Sequence, residues 1–290
     1  METLETAIVA SPSAHPLPPL SCDTHCHVFG PFDTFPIHHL PTYALPDAPS
    51  THYLGMLDTV GMERGILVQP APYGTDPSLI IQTITQRPAS LRGIAVAQED
   101  VSAATLETWK SKGIEGLRFI EARDPAGHLF PGSVGFDSLH KLAPNIRAAG
   151  MHAQLWGPYA AYENRLFDLC QLGIDICIDH MGNIDVSKGL NDPHFQLLLR
   201  LLDQGNVWLK LTVCRVSKTP GAYEDVRPYH DALVATNPDR LLWGSDWPYV
   251  RMGALAPNPG QLIDVAYDWL GNDTLRKKVW VDNPARLYNF

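Results

Sequence analysis

The sequence predicts one (β/α)₈ barrel, the TIM-barrel class of α/β fold, and three observations lead to that class. Eight short, continuously apolar runs lie between residues 22 and 246, and amphipathic segments with helical periodicity separate them. Such runs indicate parallel strands that helices cover on their outer faces. Eight strand–helix units in about 270 residues match the usual size of this barrel. No Gly-x-Gly-x-x-Gly follows the first run, which argues against a doubly wound dinucleotide-binding sheet.

The chain divides into a tail, a first strand, a long loop and a regular barrel. Residues 1–20 hold four prolines and no periodicity, so we expect an N-terminal tail and assign the barrel domain to residues 21–290. A Pro-rich loop, residues 30–50, follows the first strand and is predicted to be a lid, because structureless loops of this length are usually functional. Later strands are predicted at 65–69, 93–97, 116–120, 152–156, 174–180, 207–213 and 241–246, and helices at 52–62, 78–86, 103–111, 136–149, 160–172, 194–204, 223–236, 261–270 and 275–287.

The composition excludes two classes of partner. The formal charge of −9 and the pI of about 5.7 argue against nucleic acid, because no basic patch or Lys/Arg run is visible. No apolar run reaches the ~20 residues of a membrane helix. Glu2 and Glu5 also stand where a signal peptide carries positive charge. We therefore expect a cytoplasmic protein with a small-molecule ligand and no nucleic-acid or membrane partner, and the sequence leaves a homo-oligomer open.

Two histidines near the end of the first strand are the strongest chemical signal. His25 and His27 lie two residues apart in Cys-Asp-Thr-His-Cys-His-Val-Phe, and alternate residues of a strand point to the same side. Imidazole can donate a hydrogen bond, relay a proton or bind a metal, so a pair aimed into one space indicates a reaction centre. A pair of hydrogen-bonded core histidines is the structural alternative for this segment alone.

Further polar residues fall at the ends of other predicted strands, where the active site of this barrel class is built. His180 ends strand six, and Asp246 ends strand eight, which neighbours strand one once the barrel closes. We predict that four residues converge and carry the chemistry, and we term them the His/Asp quartet: His25, His27, His180 and Asp246. Five more residues are predicted to bind the substrate: Gln69, Arg118, Arg123, Trp156 and Arg215.

Basic residues near the strand ends are notable in a chain this acidic. An unpaired cation within an apolar strand is costly, so Arg118 and Lys210 need a physical reason to be there. For Lys210 we expect an ion pair with a carboxylate such as Asp23. Arginine binds carboxylates and sulfonates through paired hydrogen bonds, so the arginines predict an anionic substrate. Lys218 and Arg251 need no explanation beyond ordinary surface charge.

Four segments resemble the amidohydrolase superfamily, over nearly the whole chain after residue 20. They are Asp-Thr-His-Cys-His-Val-Phe at 23–29, Ile-Asp-His-Met-Gly at 178–182, Trp-Leu-Lys-Leu-Thr at 208–212 and Leu-Leu-Trp-Gly-Ser-Asp-Trp-Pro at 241–248. Together they are similar to the branch that contains 2-pyrone-4,6-dicarboxylate lactonase, 4-sulfomuconolactone hydrolase and sugar-acid lactonases. The resemblance implies ring-opening hydrolysis of a small anionic lactone, and it implies that Arg215 binds a substrate carboxylate.

The expected reaction is therefore hydrolysis of a cyclic ester. Asp246 takes a proton from water, the water adds to the lactone carbonyl, and the three histidines polarise that carbonyl and stabilise the oxyanion. A zinc-dependent decarboxylase of an aromatic or muconate-like acid is the alternative enzyme, and a barrel that binds ligands without catalysis is a third hypothesis. Release of CO₂ would distinguish the decarboxylase from the lactonase.

The metal requirement stays open at the level of sequence. The resemblance implies that a tightly held metal takes a further ligand from the end of strand four or five, where this chain offers Arg118 and Trp156. His152 lies four residues before Trp156, ~13 Å deeper at about 3.3 Å per residue, and is expected in the core. We therefore expect that no cofactor is required. The alternative is Zn²⁺ held by the His/Asp quartet, since the resemblance implies a metal-free pyrone lactonase and a zinc-dependent sulfomuconolactone enzyme.

Overall fold

Eight parallel strands form the barrel that the sequence predicts. The computed structural model describes residues 5–6, 8–163 and 165–290. Each barrel strand is hydrogen-bonded to the next in chain order, and nearly all strand residues are buried, as parallel strands covered by helices require. The strands are β1 (Cys22–Cys26), β2 (Arg64–Val68), β3 (Leu91–Ala95), β4 (Ile114–Ile120), β5 (His152–Trp156), β6 (Ile176–Ile178), β7 (Val207–Leu211) and β8 (Leu241–Trp243).

Hydrogen bonds beside β1 and β8 close the barrel. The backbone N–H of Asp246 donates to the carbonyl of His25 over 2.8 Å, and the N–H of His27 donates to the carbonyl of Trp247 over 2.8 Å. Next to them, the Asp23 carboxylate accepts hydrogen bonds from the backbone N–H of Ser245 over 2.8 Å and from the Ser245 hydroxyl over 2.7 Å. The first and last strands are therefore neighbours, and the predicted (β/α)₈ class is confirmed.

Helices follow the strands and cover the outer face of the barrel. They are α1 (Ser50–Val60), α2 (Ser78–Gln86), α3 (Ala103–Ser111), α4 (Phe136–Ala148), α5 (Tyr159–Tyr162), α6 (Leu166–Leu169, continued by a 3₁₀ turn at Cys170–Leu172), α7 (Pro193–Asp203), α8 (Arg227–Thr236), α9 (Pro259–Leu270), α10 (Asp273–Lys277), a π-helical turn (Lys278–Asp282) and α11 (Asn283–Tyr288). In α7, Asp192 caps the start by accepting from the N–H of Phe195 over 3.2 Å, and Pro193 stands where no N–H is needed. No helix within the described ranges is long and apolar enough to cross a membrane.

Element boundaries differ from the prediction where the chain turns into the cavity end of the barrel. The predicted strands six and eight extend to residues 180 and 246, whereas β6 ends at Ile178 and β8 ends at Trp243. The backbone of His180 and Asp246 is left-handed, with φ of 51° and 61°, and that conformation cannot continue a strand. The single helix predicted at 160–172 is broken into α5 and α6.

The end of the barrel opposite the strand C-termini is closed by α11. Side chains from the strand interiors form a cluster with Leu287 and Tyr288 of this helix, and Asn289 beside it donates to Glu115 near the start of β4 over 2.8 Å. The rings of His152 and Tyr288 pack with centroids 5.3 Å apart. His152 therefore lies in the core at this end of the barrel, as predicted from its depth on strand five.

The predicted tail and the predicted lid contact the barrel at its surface. Ser11 Oγ donates to Asn258 Oδ1 over 2.7 Å, which attaches the segment 8–20 near the start of α9. Glu5–Thr6 pairs in parallel with Pro46–Asp47, while residues 1–4 and 7 lie outside the described part of the chain. The loop 30–50 lies partly at the C-terminal ends of the strands, and its function as a lid remains a prediction.

Candidate active site

A cavity of about 280 Å³ opens at the C-terminal ends of the barrel strands. This volume is at the small end for ligand pockets, so the cavity suits a small ligand. Its lining histidines and charged residues are His27, Arg118, His180, Arg215, Asp246 and Arg251. The remaining lining residues are mostly apolar and include three aromatic side chains, Tyr43, Phe130 and Trp156.

The structure brings the His/Asp quartet together. Asp246 Oδ1 lies 3.4 Å from His25 Nε2 and 3.3 Å from His27 Nε2, and Asp246 Oδ2 lies 3.5 Å from His180 Nε2. The Nε2 atoms of His25 and His27 are 3.3 Å apart. His25 is fully buried and does not line the cavity. It contacts His27 and Asp246 from the side away from the cavity.

The Gly-Ser-Asp segment after β8 positions Asp246. A Cβ atom on Gly244 would stand 2.7 Å from the Cβ of His25, so only glycine allows the chain to pass this close to β1. Ser245 is then held by hydrogen bonds to Asp23, and Asp246 follows in a left-handed conformation with φ of 61°. Such a backbone costs of order 1–3 kcal/mol and is typical of functional sites.

Asp246 is ionised, and its charge is held by a neighbouring cation. Arg215 Nε forms an ion pair with Asp246 Oδ2, and Arg215 Nη1 donates to the carbonyl of Val250 over 2.8 Å. Burial opposes ionisation of Asp246, but the guanidinium of Arg215 outweighs it, so the pKa of this carboxyl lies well below its usual range. Asp246 is therefore a carboxylate at neutral pH and can accept a proton.

The three histidines of the quartet are neutral at neutral pH. Burial lowers the pKa of His25 and His27, and it lowers the pKa of His180 to about 4 although Asp246 partly offsets the effect. His27 Nδ1 donates to the carbonyl of Val68 over 2.7 Å, so its Nε2 is the unprotonated nitrogen. Neutral rings of this kind can each donate or accept one proton beside Asp246.

A buried polar network lies behind His25, and sequence reasoning found only part of it. Lys210 is fully buried and contacts Asp179, Gln154 and His25, not the Asp23 suggested from sequence. Asp23 instead accepts hydrogen bonds from the backbone N–H of Ser245 and from the hydroxyl of Tyr53. Asp179 and Gln154 were missed, although each carried a signal, since Asp179 directly precedes His180 and Gln154 lies two residues before Trp156 on the same face of strand five.

Two cations on the cavity wall have no carboxylate partner among the described residues. Arg118 is buried, with Nη1 donating to the carbonyl of Gln69 over 2.9 Å and Nε making no hydrogen bond. The guanidinium of Arg251 lies 5.4 Å from the Tyr43 ring centroid and 5.3 Å from that of Phe130. Arg251 is thus held at the rim between two loops and is more than the ordinary surface charge expected from sequence. A cavity with positive side chains that lack carboxylate partners favours an anionic ligand.

Comparison with known proteins identifies the family. A family model described as amidohydrolase matches residues 22–290. The chain belongs to the amidohydrolase family. It is 34% identical over 292 residues to a 4-sulfomuconolactone hydrolase of Rhizobium radiobacter, a match covering 96% of this chain and 93% of that protein. It is 30% identical over 285 residues to a 2-pyrone-4,6-dicarboxylate hydrolase of Comamonas testosteroni, covering 94% and 91%.

A solved structure supports the same assignment. A protein from Pseudomonas putida, assigned as a 2-pyrone-4,6-dicarboxylic acid hydrolase, superposes with a TM-score of 0.80 and 30% sequence identity. The match covers 94% of this chain and 98% of that one. The resemblance proposed from the four sequence segments is therefore confirmed, and the amidohydrolase fold extends over the whole barrel.

Two of the predicted substrate-binding residues of this amidohydrolase lie outside the cavity. Arg123 is exposed and forms an ion pair with Glu121 at 2.7 Å. Gln69 is buried, where Nε2 donates to the carbonyl of Gly74 over 2.6 Å and Oε1 accepts from the N–H of Val96 over 3.1 Å. Gln69 therefore holds the loop after β2 to β3, and neither side chain reaches the cavity wall.

The donor atoms of this amidohydrolase match a divalent cation in type. His25, His180 and Asp246 each offer one ligand atom within 4.8 Å of the others, and two nitrogens with a carboxylate oxygen and an open position suit zinc. Asp246 Oδ1 is buried and makes no hydrogen bond of normal geometry. Two of these candidate ligands nevertheless contact positive side chains. Arg215 forms an ion pair with Asp246 Oδ2, and Lys210 Nζ lies 3.2 Å from His25 Nδ1.

Proposed function

We propose that this amidohydrolase opens the ring of a small anionic lactone, of the pyrone dicarboxylate or muconolactone type, by hydrolysis. One observation carries the proposal: a single cavity holds the ionised Asp246 together with two guanidinium groups, Arg118 and Arg251, that have no carboxylate partner in the described chain. A carboxylate next to neutral imidazoles can activate water, while unpaired cations recognise an anion. The names of the relatives, two types of anionic-lactone hydrolase, agree with this combination.

Asp246 is the proposed general base. Its Oδ2 is held by Arg215, whereas Oδ1 makes no hydrogen bond and is the free acceptor for a proton. As that proton leaves water, the water oxygen bonds to the lactone carbonyl carbon. The tetrahedral intermediate then expels the ring oxygen, which takes up the proton, so that one water is consumed and a carboxylic acid and a hydroxyl group are formed.

Two histidines are proposed to polarise the lactone carbonyl. His27 and His180 line the cavity beside Asp246, and their neutral rings can support the oxyanion or pass the proton to the leaving oxygen. Sequence reasoning assigned the same task to His25, but that residue does not line the cavity. We therefore assign His25 to positioning His27 and Asp246.

Three arginines are proposed to bind the anionic groups of the substrate. Arg118 lies deepest, since its exposed fraction is 6%, and Arg251 stands at the exposed rim. Arg215 uses two of its five N–H groups on Asp246 and Val250, and the remainder are free to hold a substrate carboxylate. Trp156 supplies a flat wall for the ring between them. The loop 30–50 contributes Tyr43, which is consistent with the proposed lid.

We propose that no metal is required for this reaction. Zinc held by His25, His180 and Asp246 would polarise the carbonyl and lower the pKa of bound water. Two cations already serve the two buried carboxylates of the site: Lys210 Nζ lies 3.3 Å from Asp179 Oδ1, and Arg215 forms an ion pair with Asp246. A dication would add to positive charge that the protein itself supplies. We also propose a cytoplasmic location, since all five cysteines are free thiols and four are buried.

A substrate panel tests the proposed function. Purified enzyme would be incubated with a pyrone dicarboxylate, a carboxylated muconolactone and a neutral lactone of the same ring size, each with and without chelator. We expect ring opening of the anionic lactones, seen as loss of lactone absorbance and gain of one titratable acid, with no CO₂ released. Release of CO₂ from an aromatic or muconate-like acid would favour the decarboxylase instead, and absence of turnover on every lactone would favour a non-catalytic barrel.

A further inference from the structure

The ammonium group of Lys210 lies behind His25, on the side away from the cavity. Lys210 Nζ is 2.7 Å from Gln154 Oε1, 3.2 Å from His25 Nδ1 and 3.3 Å from Asp179 Oδ1. The lysine is fully buried, so water cannot satisfy its hydrogens. An ammonium carries three hydrogens and no acceptor. The three atoms named here supply one acceptor for each hydrogen when His25 Nδ1 is unprotonated.

Counting donors and acceptors then favours one position for the proton on His25. If Nδ1 accepts from Lys210, the single proton of the neutral ring is on Nε2, which faces His27 Nε2 at 3.3 Å. His27 Nε2 is an acceptor because His27 Nδ1 already donates to a carbonyl. Gln154 Nε2 donates to the second oxygen of Asp179 over 3.1 Å. All three hydrogens of Lys210 and the ring proton of His25 then have acceptors. The unprotonated His25 Nδ1 and Asp179 Oδ1 lie 3.1 Å apart without a proton between them, and the Lys210 ammonium contacts both atoms.

The opposite tautomer leaves two defects. His25 Nδ1 also lies 3.1 Å from Asp179 Oδ1, so it could in principle donate there. One hydrogen of Lys210 would then have no acceptor in a fully buried position. The lone pairs of His25 Nε2 and His27 Nε2 would also face each other at 3.3 Å. Asp246 Oδ1, another acceptor, lies 3.4 Å from the same His25 Nε2. A metal binds the unprotonated imidazole nitrogen, so this tautomer would make His25 Nε2 available as a ligand in the candidate zinc set of His25, His180 and Asp246.

We propose that Lys210 is a positioning residue that fixes the proton of His25 on Nε2 and thereby keeps the reaction centre from binding zinc. Both tautomers carry the same charge, so the choice between them rests on hydrogen-bond donors alone. The proton on Nε2 points at His27 and orders the pair beside Asp246. The inference deepens the proposed metal-independent hydrolysis, but its test needs no lactone, so its failure and the failure of the proposed function are distinguishable.

The first test reads the tautomer directly. Nitrogen-15 spectra of the ring nitrogens, with His25 assigned from a His25→Asn variant, distinguish a protonated nitrogen from an unprotonated one. In the wild-type protein we expect His25 protonated on Nε2. In Lys210→Met, where the ammonium is replaced by an apolar chain of similar length, we expect the proton to move to Nδ1 and bond to Asp179. A wild-type spectrum with His25 protonated on Nδ1 would overturn the proposal.

The second test measures zinc affinity by calorimetry and metal analysis, without substrate. Lys210→Met should bind zinc more tightly than the wild type by roughly 10- to 100-fold, the range over which partners of a metal ligand change metal affinity. Lys218→Met is the matched control, because Lys218 is exposed and is not part of the network, and it should match the wild type. A folded Lys210→Met with unchanged zinc affinity would overturn the proposal. If Lys210→Met does not fold, Lys210→Gln replaces it, and the wild-type spectrum still decides.

Discussion

Replacing Arg118 by methionine separates substrate binding from structural stability. The guanidinium is buried, has no carboxylate partner in the described chain, donates once to the carbonyl of Gln69 and leaves Nε without a partner. A cation placed this way is costly to the free protein and is useful only when an anion arrives. Arg118→Met should therefore weaken substrate binding while the fold changes little.

The magnitudes follow from the contacts. Losing a hydrogen bond to a charged substrate group costs about 1.5–3 kcal/mol, so KM should rise roughly 10- to 150-fold at 1.4 kcal/mol per decade. In the free protein, the loss of one bond to Gln69 opposes the removal of an unsatisfied buried donor worth about 1–3 kcal/mol. The free energy of unfolding should therefore change by less than about 2 kcal/mol. Breaking a structural buried ion pair would cost about 3–5 kcal/mol instead.

The assays are initial rates on the carboxylated lactone and chemical denaturation of the free enzyme. Arg123→Met is the matched control, because Arg123 is exposed, pairs with Glu121 and does not line the cavity, and its KM should stay at the wild-type value. If Arg118→Met leaves KM unchanged but lowers the free energy of unfolding by more than about 3 kcal/mol, Arg118 has a structural task and the substrate-binding argument is wrong.

Three further predictions follow from the same site. Asp246→Asn should lower kcat by about 10²- to 10⁴-fold, the usual contribution of a general base, with little change in the affinity for a product analogue; a kcat within a few-fold of wild type would remove Asp246 from that role. Prolonged chelation should leave kcat unchanged and metal analysis should find less than one zinc per chain, whereas inactivation by chelator with recovery on zinc addition would contradict the metal-free proposal. Because burial lowers the pKa of His180 to about 4, its ring stays neutral well below its ordinary pKa, so kcat/KM should hold from pH 7 to roughly pH 5 and fall below; an acid limb near pH 6.5 would place His180 in a solvated environment.

The barrel and the convergence of the quartet were predictable because both depend on short, regular rules. Alternation along a strand places His25 and His27 on one side, and closure of the barrel places the end of strand eight beside strand one. Neither rule needs knowledge of a loop. The same rules could have found Gln154, which lies on β5 two residues before Trp156, and Asp179, which follows β6 and directly precedes His180.

The remainder of the site depends on loop conformation, which periodicity does not determine. Arg123 and Gln69 both lie just beyond the ends of strands. The turn after β4 places Arg123 at the surface, where it pairs with Glu121. In the turn after β2, the carbonyl of Gly74 accepts a hydrogen bond from the Gln69 side chain. Arg251 reaches the rim through a left-handed backbone, with φ of 70°, and its position depends on Tyr43 from a distant loop. A single sequence shows which residues are charged. Which group each charged side chain contacts depends on how the loops fold.

The most direct test of the central claim is the fate of water oxygen in the product. The pyrone dicarboxylate would be turned over in ¹⁸O-water, and the product analysed by mass spectrometry alongside a CO₂ assay. Hydrolysis with water activated by Asp246 predicts one ¹⁸O atom in a carboxylate of the ring-opened product, no CO₂, and formation of that product about 10²- to 10⁴-fold more slowly by Asp246→Asn. Loss of CO₂ from the substrate, or a product without ¹⁸O, would contradict the account.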